Sequence, residues 1–171
     1  RGYHPSNRMP LPNVWLGVSV ENQRRADERI PWLLKTPAAV RFLSVEPLLE
    51  RVDLSRWLPI APRGDHWERV KCEAAYGEER PRIAWIITGG ESGGPPERAL
   101  VEKTKDFRLG SNYQAEGRYA WTLKPEALEW LRAIRDQCRE AGVAFFHKQN
   151  GGPTPKSGGR LLDGKEWSEF P

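Results

Sequence analysis

Three short hydrophobic runs in the chain each end at a glutamate. They extend from Trp15 to Glu21, from Val40 to Glu46 and from Ile83 to Glu91. Short runs rich in Val, Ile and aromatic residues are typical of parallel strands buried on both faces. In α/β proteins, ligands bind at the carboxyl ends of such strands. The pattern therefore predicts three parallel strands whose last residues form the rim of a site.

Alternation along the first two strands predicts which side chains share a face, because successive side chains of a strand point to opposite faces. One set is predicted to face the site and comprises Trp15, Gly17, Ser19, Glu21, Phe42, Ser44 and Glu46. The other set is predicted to face covering helices and comprises Leu16, Val18, Val20, Leu43 and Val45. Both strands therefore carry Ser-Val-Glu with the serine and the glutamate on the site side.

Two helices are predicted from capping residues and apolar spacing. Asn22 is the predicted N-cap of a first helix through Arg29, and Pro31 is predicted to open a separate short helical turn. Apolar residues recur at spacings of three and four between Pro125 and Ala141, which predicts an amphipathic helix. Gly142 is predicted to end this helix, because glycine is the residue that most often follows a helix.

A fourth strand is predicted from Val143 to Lys148, and the segments between the elements lack a clear period. Residues 60–82 and 93–122 combine Gly, Pro and charge, which predicts irregular insertions. Residues 52–58 are interpreted as a loop or a short helical turn, and the tail from about residue 151 as a coil that could fold over the sheet. Four parallel strands with helical crossovers are either half of an eight-stranded barrel or most of a small open sheet.

Composition limits the class of protein. With 171 residues, 38% of them hydrophobic and 29% charged, the chain suits a single α/β domain with a real core. No stretch approaches the roughly 18–20 apolar residues of a membrane span, and the start lacks the apolar core of a signal peptide. The prediction is a cytoplasmic protein. Its two cysteines, Cys72 and Cys138, fit a reducing compartment.

Net charge leaves two interpretations open. The formal charge of +4 is compatible with binding to nucleic acid. Arg24, Arg25, Arg29 and Arg41 lie close in sequence, but acidic residues separate some of them. A solvated basic surface is therefore an equally good interpretation.

Glu21, Glu46 and Glu91 are the candidate catalytic residues. They could bind an amino or hydroxyl group of a ligand, or transfer a proton where burial raises a pKa. The alternative is that one or more of them caps a helix or pairs with an arginine such as Arg41. For Ser19 and Ser44 the favoured role is support, because small polar residues beneath a site often satisfy backbone groups.

The candidate cofactor-binding residues lie at the same strand ends. Gly89 and Gly90 would let the backbone approach a ligand closely, although their spacing is not that of a phosphate loop. Lys148 could bind a carboxylate or phosphate as a point charge, or could only extend its ammonium into solvent. The full set is Gly89, Gly90, Ser92, Ser19, Ser44, Lys148 and Gln149. The three histidines lack metal-ligand spacing, so no protein-built metal site is predicted.

Several segments occur in the same order as in the phage gene-product thirty-seven/sixty-eight family, which the chain resembles. They are 11–22, 29–31, 36–48, Gly89-Gly-Glu-Ser92, Arg135-Asp-Gln-Cys138, Phe145-Phe-His-Lys-Gln149 and 159–164. That family looks like a branch of the radical S-adenosylmethionine enzymes. In these barrel proteins, three cysteines near the amino end hold a four-iron four-sulfur cluster that cleaves the cofactor reductively.

The resemblance implies that this chain is the carboxyl-terminal half of a TIM-type, radical S-adenosylmethionine-like barrel. It implies a cofactor and substrate pocket for S-adenosylmethionine at the strand ends. The cysteine-bearing segment is absent, so this chain alone is expected to bind no iron-sulfur cluster and to be inactive. A missing amino-terminal half or a second chain is then the expected partner. The alternative is a non-catalytic basic module that contacts nucleic acid or a partner protein.

Overall fold

A computed structural model of the chain describes residues 10–59, 82–105 and 119–171. It is an α/β structure, as predicted, in which four strands form one parallel sheet and two others an antiparallel hairpin. The strands are β1 Trp15–Ser19, β2 Val40–Val45, β3 Trp85–Gly89, β4 Val101–Lys105, β5 Tyr119–Leu123 and β6 Ala144–Gln149. The helices are α1 Gln23–Lys35 and α2 Pro125–Ala141. The parallel sheet has the order β1-β2-β3-β6, and β4 pairs with β5.

Helix α1 begins as predicted but does not break at its proline. The Asn22 side chain accepts a hydrogen bond from the backbone N–H of Arg25 at 2.9 Å, which confirms the N-cap. The predicted separate turn at Pro31 is wrong, because one continuous helix contains this residue. Proline removes one helical hydrogen bond. Burial of Ile30 and Leu33 on the sheet-facing side offsets that loss.

Helix α2 has the predicted bounds. It ends at Gly142, which adopts the left-handed conformation with φ of 65° that glycine tolerates best. Leu131, Ile134 and Cys138 are fully buried on its inner side, in agreement with the apolar spacing. Among the described residues, no helix is both long and apolar enough to cross a membrane.

The core lies between the two helices and one face of the parallel sheet. Leu43, Ile86 and Phe145 contribute from neighbouring strands and are fully buried. They share one hydrophobic cluster with Ile30 of α1 and Leu131 of α2. The predicted alternation is confirmed on this side, because Val20, Leu43 and Val45 are all buried there.

The opposite face of the sheet carries an aromatic floor, defined as Trp15, Phe42, Trp85, Phe146 and Phe170. Neighbouring rings in this set lie 5.0–5.9 Å apart between centroids, in tilted or edge-to-face contact. The floor is incompletely covered, since Trp15 is 43% exposed and Phe170 62% exposed. The helices therefore cover one face, while the other presents aromatic rings near the amino ends of β1 and β3.

The tail folds along the edge of β6, as the sequence indicated that it could. Ser168 forms an antiparallel bridge with Phe146. The backbone N–H of His147 donates to the carbonyl of Trp167 at 2.9 Å. Residues 167–170, here named the tail strap, thus behave as a short added strand.

The second predicted insertion contains regular structure among its described residues. Strand β4 and all but the last residue of β5 lie within residues 93–122, so the prediction of an irregular segment is wrong there. The sequence of β4, Val-Glu-Lys-Thr-Lys, carries charged and polar residues, which weakens any apolar pattern there. Residues 60–81 and 106–118 lie outside the described part of the chain. Ser55–Trp57 forms a 3-10 turn, in agreement with the interpretation of residues 52–58.

Candidate functional site

Three predicted site residues meet at the carboxyl end of the sheet, on the face that carries the aromatic floor. The Glu46 carboxylate accepts a hydrogen bond from Ser44 Oγ at 3.4 Å and lies 3.5 Å from Lys148 Nζ. The Glu46 side chain is 19% exposed, whereas that of Lys148 is 56% exposed. We name Ser44, Glu46 and Lys148 the rim triad. It offers an acceptor and a donor side by side to a ligand above the sheet.

Packing within this chain requires glycine at both candidate positions, Gly89 and Gly90. A Cβ on Gly89 would collide with Oε1 of Glu46, so the glycine makes room for that carboxylate. A Cβ on Gly90 would collide with the backbone carbonyl of Asn150. Both glycines therefore permit a close internal approach, and the space that their missing side chains leave is already filled by protein atoms.

A β-bulge places Lys148 in the rim triad. Thr88 pairs with His147, but the next residue, Gly89, pairs with Gln149. Lys148 is thus the extra residue on β6, and a bulge of this kind re-aims a side chain. Nothing in the amino-acid pattern of residues 143–149 predicts the bulge.

Gln149 joins the segment that follows β3. Its Nε2 donates to Ser92 Oγ at 3.0 Å and to the carbonyl of Gly90 at 3.3 Å. Ser92 also pairs with Gly152 in a parallel bridge. The extensions of β3 and β6 thus stay hydrogen-bonded beyond the sheet and form a wall beside the rim triad.

Glu21 is at the predicted strand end but is engaged with α1. Its carboxylate lies 3.1 Å from a guanidinium nitrogen of Arg29, which also donates to the carbonyl of Ser19 at 2.7 Å. The predicted alternative of arginine pairing is therefore confirmed for Glu21, with a different arginine. Arg41 instead donates to the carbonyl of Thr36 at 2.7 Å.

Glu91 also pairs with an arginine. One carboxylate oxygen lies 2.9 Å from Nε of Arg98. The same oxygen is buried, yet it accepts no hydrogen bond of normal geometry from the described residues. The contact with Arg98 is therefore an ion pair without a well-directed hydrogen bond. Of the three glutamates, Glu46 is the one the structure brings together with Lys148.

A buried polar network beneath the wall was missed by the sequence analysis. His147 is fully buried between Thr88 and Asn150. Its Nδ1 lies 3.0 Å from Thr88 Oγ1, and its Nε2 lies 2.7 Å from Asn150 Oδ1. Asn150 Nδ2 donates to the carbonyl of Gly158, so Oδ1 is its acceptor and His147 Nε2 carries the hydrogen.

Burial is the main reason that the pKa of His147 is lowered, and the positive charge of Arg160 acts in the same direction. The imidazole is therefore neutral. It bonds Asn150, whose Nδ2 in turn donates to the carbonyls of Gly158 and Leu161. Strand alternation could have placed His147 on the helix-covered side, together with Phe145. Of its two partners, Asn150 is near in sequence, but Thr88 lies on another strand, which sequence spacing does not reveal.

Of the two cysteines, the structure describes Cys138. Cys138 is fully buried in α2, and burial raises the pKa of its thiol. Cys72 lies outside the described residues, as do His4 and His66. Within residues 10–59, 82–105 and 119–171, no group of three His, Cys, Asp or Glu side chains is placed to hold a metal ion.

Comparison with known proteins identifies a family without assigning a chemistry. The profile of a family described as "Protein of unknown function (DUF5131)" matches residues 2–108 and 116–171. The chain therefore belongs to the DUF5131 family. No curated protein and no solved structure shows a significant match to it.

Proposed function

We propose that this chain is the carboxyl-terminal part of a barrel enzyme similar to the radical S-adenosylmethionine proteins. In this proposal, the face with the aromatic floor lines the pocket, and the rim triad binds the cofactor or substrate. The observation that carries the proposal is the Glu46–Lys148 pair, with 3.5 Å between opposite charges at the carboxyl end of a parallel sheet. The resemblance of the short motifs to the phage family supplies the choice of enzyme class.

The winding of the sheet supports a barrel. The strands follow one another in chain order, all are parallel, and both helices bury their apolar sides in one core. In a doubly wound open sheet the strand order reverses and helices cover both faces. In a barrel, sequential right-handed crossovers keep the helices outside and leave the inner face to the site.

The charged groups of the rim triad are complementary to the amino acid moiety of S-adenosylmethionine. The Glu46 carboxylate is complementary to an ammonium group, and the Lys148 ammonium is complementary to a carboxylate. An amino acid moiety carries both charges on neighbouring atoms. When bound, S-adenosylmethionine would supply an activated sulfonium carbon, while the chain's own residues would hold and orient it. Ser44 would hold the Glu46 carboxylate in position.

The described residues do not fit an iron-sulfur cluster. A cluster ligand must be a thiolate that reaches the metal, and Cys138 is a buried thiol with a raised pKa on the helix-covered side. In this proposal the cluster ligands belong to another part of the enzyme.

A nucleic-acid-binding module has less support. The arginines that made up the basic sequence cluster are engaged with this chain's own groups. Arg24 and Arg25 both pair with Glu28, and Arg29 pairs with Glu21. A phosphate backbone would have to compete with these carboxylates.

The proposal is tested by measuring the binding of S-adenosylmethionine to the gene product that contains residues 1–171, by equilibrium dialysis. Glu46→Gln and Lys148→Met are each expected to weaken binding about tenfold or more, because a charged hydrogen-bond partner contributes about 1.5–3 kcal/mol. Glu140→Gln and Lys156→Met change the same residue types at exposed positions elsewhere and serve as controls. Equal affinity in the rim variants and the controls would refute the assignment.

A further inference from the structure

Strands β3 and β6 carry a polar pair on the face where their neighbouring pair is apolar. Ile86 pairs with Phe145 in the register of the two strands, and both are fully buried. Two residues further along, Thr88 pairs with His147, and both are again fully buried on the same face. An apolar pair of similar size would avoid the cost of desolvating a hydroxyl and an imidazole. The polar pair therefore points to a role in specifying the conformation rather than in net stability.

The polar pair lies immediately before the β-bulge. Because the ring hydrogen of His147 lies on Nε2, Thr88 Oγ1 donates to Nδ1, and the two atoms are 3.0 Å apart. Lys148 follows as the extra residue, and Gly89 pairs with Gln149. A side-chain hydrogen bond in the last regular pair fixes the point at which the regular register ends. Thr88 and His147 therefore determine that the extra residue is Lys148.

The other nitrogen of the same ring holds the chain after the bulge. Nε2 of His147 donates to Oδ1 of Asn150 at 2.7 Å. Asn150 is itself held in place, since its Nδ2 donates to the carbonyl of Gly158 at 2.7 Å and its backbone N–H donates to the carbonyl of Gly159 at 2.8 Å. One buried imidazole thus joins the last regular pair to the residue that follows the bulge, and the bulge lies between its two hydrogen bonds.

The ion pair of Lys148 with Glu46 is too weak to hold the bulge by itself. Lys148 Nζ lies 3.5 Å from the Glu46 carboxylate, and the lysine side chain is 56% exposed. An ion pair of this length and exposure contributes little, and the ammonium group sits on a flexible four-carbon stem. The position of the ammonium group therefore depends on the backbone at Lys148, which the buried ring of His147 holds from both sides.

We propose that His147 is a positioning residue for the rim triad. Through its hydrogen bonds to Thr88 and Asn150 it holds the bulge at Lys148, and so keeps the Lys148 ammonium beside the Glu46 carboxylate. The inference rests on the proposed function for its consequence, namely that Lys148 binds the carboxylate of a ligand. His147 then controls the affinity for that ligand from a buried position that the ligand does not touch.

Coupling with a water-soluble carbodiimide tests the inference without a ligand. The reagent takes up the water that is lost when a carboxylate and an amine in contact form an amide. It should therefore link Glu46 to Lys148 in the gene product that contains residues 1–171. After digestion with trypsin, mass spectrometry detects the link between peptides 42–51 and 140–156, and fragmentation locates the joined residues. Glu46→Gln removes the carboxylate and gives the background.

Thr88→Val removes the hydroxyl with little change of shape. The yield of the link is expected to fall about fivefold, because the loss of one net hydrogen bond changes a population by about that factor. Thr88→Ser keeps the hydroxyl, so its yield is expected to stay within about twofold of that of the unmodified chain. Ile30→Val trims another fully buried side chain, on α1, and should also leave the yield unchanged. His147→Phe removes both ring contacts and should lower the yield at least as far as Thr88→Val. Circular dichroism establishes which variants fold, and Thr88→Val decides the test if His147→Phe does not.

The outcomes separate this inference from the proposed function. Equal yields in Thr88→Val and the unmodified chain would overturn the positioning role. A fall in Ile30→Val as large as that in Thr88→Val would also overturn it, because general loosening of the core would then release Lys148. A link that depends on Thr88, in a product that binds no S-adenosylmethionine, refutes the proposed ligand and leaves the positioning role standing.

Discussion

The two faces of the parallel sheet use the same strands for different purposes. On the helix-covered face, Leu43, Ile86 and Phe145 are fully buried and meet aliphatic side chains of both helices. On the other face, Phe42 and Trp85 are half-buried in the aromatic floor, which gives way to the polar rim triad at the carboxyl ends of the strands. The first face supplies stability through burial, and the second leaves aromatic rings and charged groups partly exposed.

The largest change in the free energy of unfolding is expected when a ring is truncated to alanine, and the two faces should differ. Phe145→Ala empties a fully buried position beside Trp167 and should lower the free energy of unfolding by about 3–5 kcal/mol. Phe146→Ala removes a half-buried ring from the aromatic floor and should cost about 1–2 kcal/mol. Urea unfolding followed by circular dichroism measures both. Equal losses would mean that the aromatic floor is as important to stability as the core.

A smaller effect is expected where the strand ends form the wall beside the rim triad. Gly90→Ala would push a methyl group into the backbone carbonyl of Asn150, which cannot rotate away as a side chain can. The free energy of unfolding should therefore fall by about 1–3 kcal/mol. Gly94→Ala meets only the Glu91 carboxylate, an ion-paired side chain that can move, and should cost about 0–1 kcal/mol. The same urea titration applies. A harmless Gly90→Ala would contradict the close approach of the two strand extensions.

The smallest effect is expected in the pH dependence of the free energy of unfolding, which should depend on His147. Because the folded-state pKa of His147 lies below its ordinary value of 6.5, the unfolded chain binds more protons as pH falls below that value. Stability from the neutral imidazole is therefore complete above about pH 6.5 and is lost toward lower pH. The loss should reach at most about 1.4 kcal/mol per pH unit.

Urea unfolding between pH 7.5 and 5.5 measures this dependence by difference. His147→Gln removes the titrating group and should flatten the curve relative to the unmodified chain, whereas Lys148→Met should leave the slope unchanged. Parallel curves for the unmodified chain and His147→Gln would show that the imidazole does not resist protonation in the folded state.

The sequence by itself determined the elements whose signals are local. The four parallel strands follow from short apolar runs, α2 from its apolar spacing and Gly142, and the start of α1 from the Asn22 cap. Strand alternation also places Leu43 and Val45 on one face of the sheet and Ser44 and Glu46 on the other. These predictions succeeded because each depends on residues within one turn or one strand.

Only the tertiary structure decided which charged groups meet. Glu21, Glu46 and Glu91 are all predicted at the ends of strands. In the structure, Arg29 pairs with Glu21 and Arg98 with Glu91, and a bulge brings Lys148 to Glu46. The continuity of α1 through a proline, the His147 network and the tail strap along β6 were decided in the same way. Each depends on contacts between segments far apart in the chain, and local propensity carries no record of such contacts.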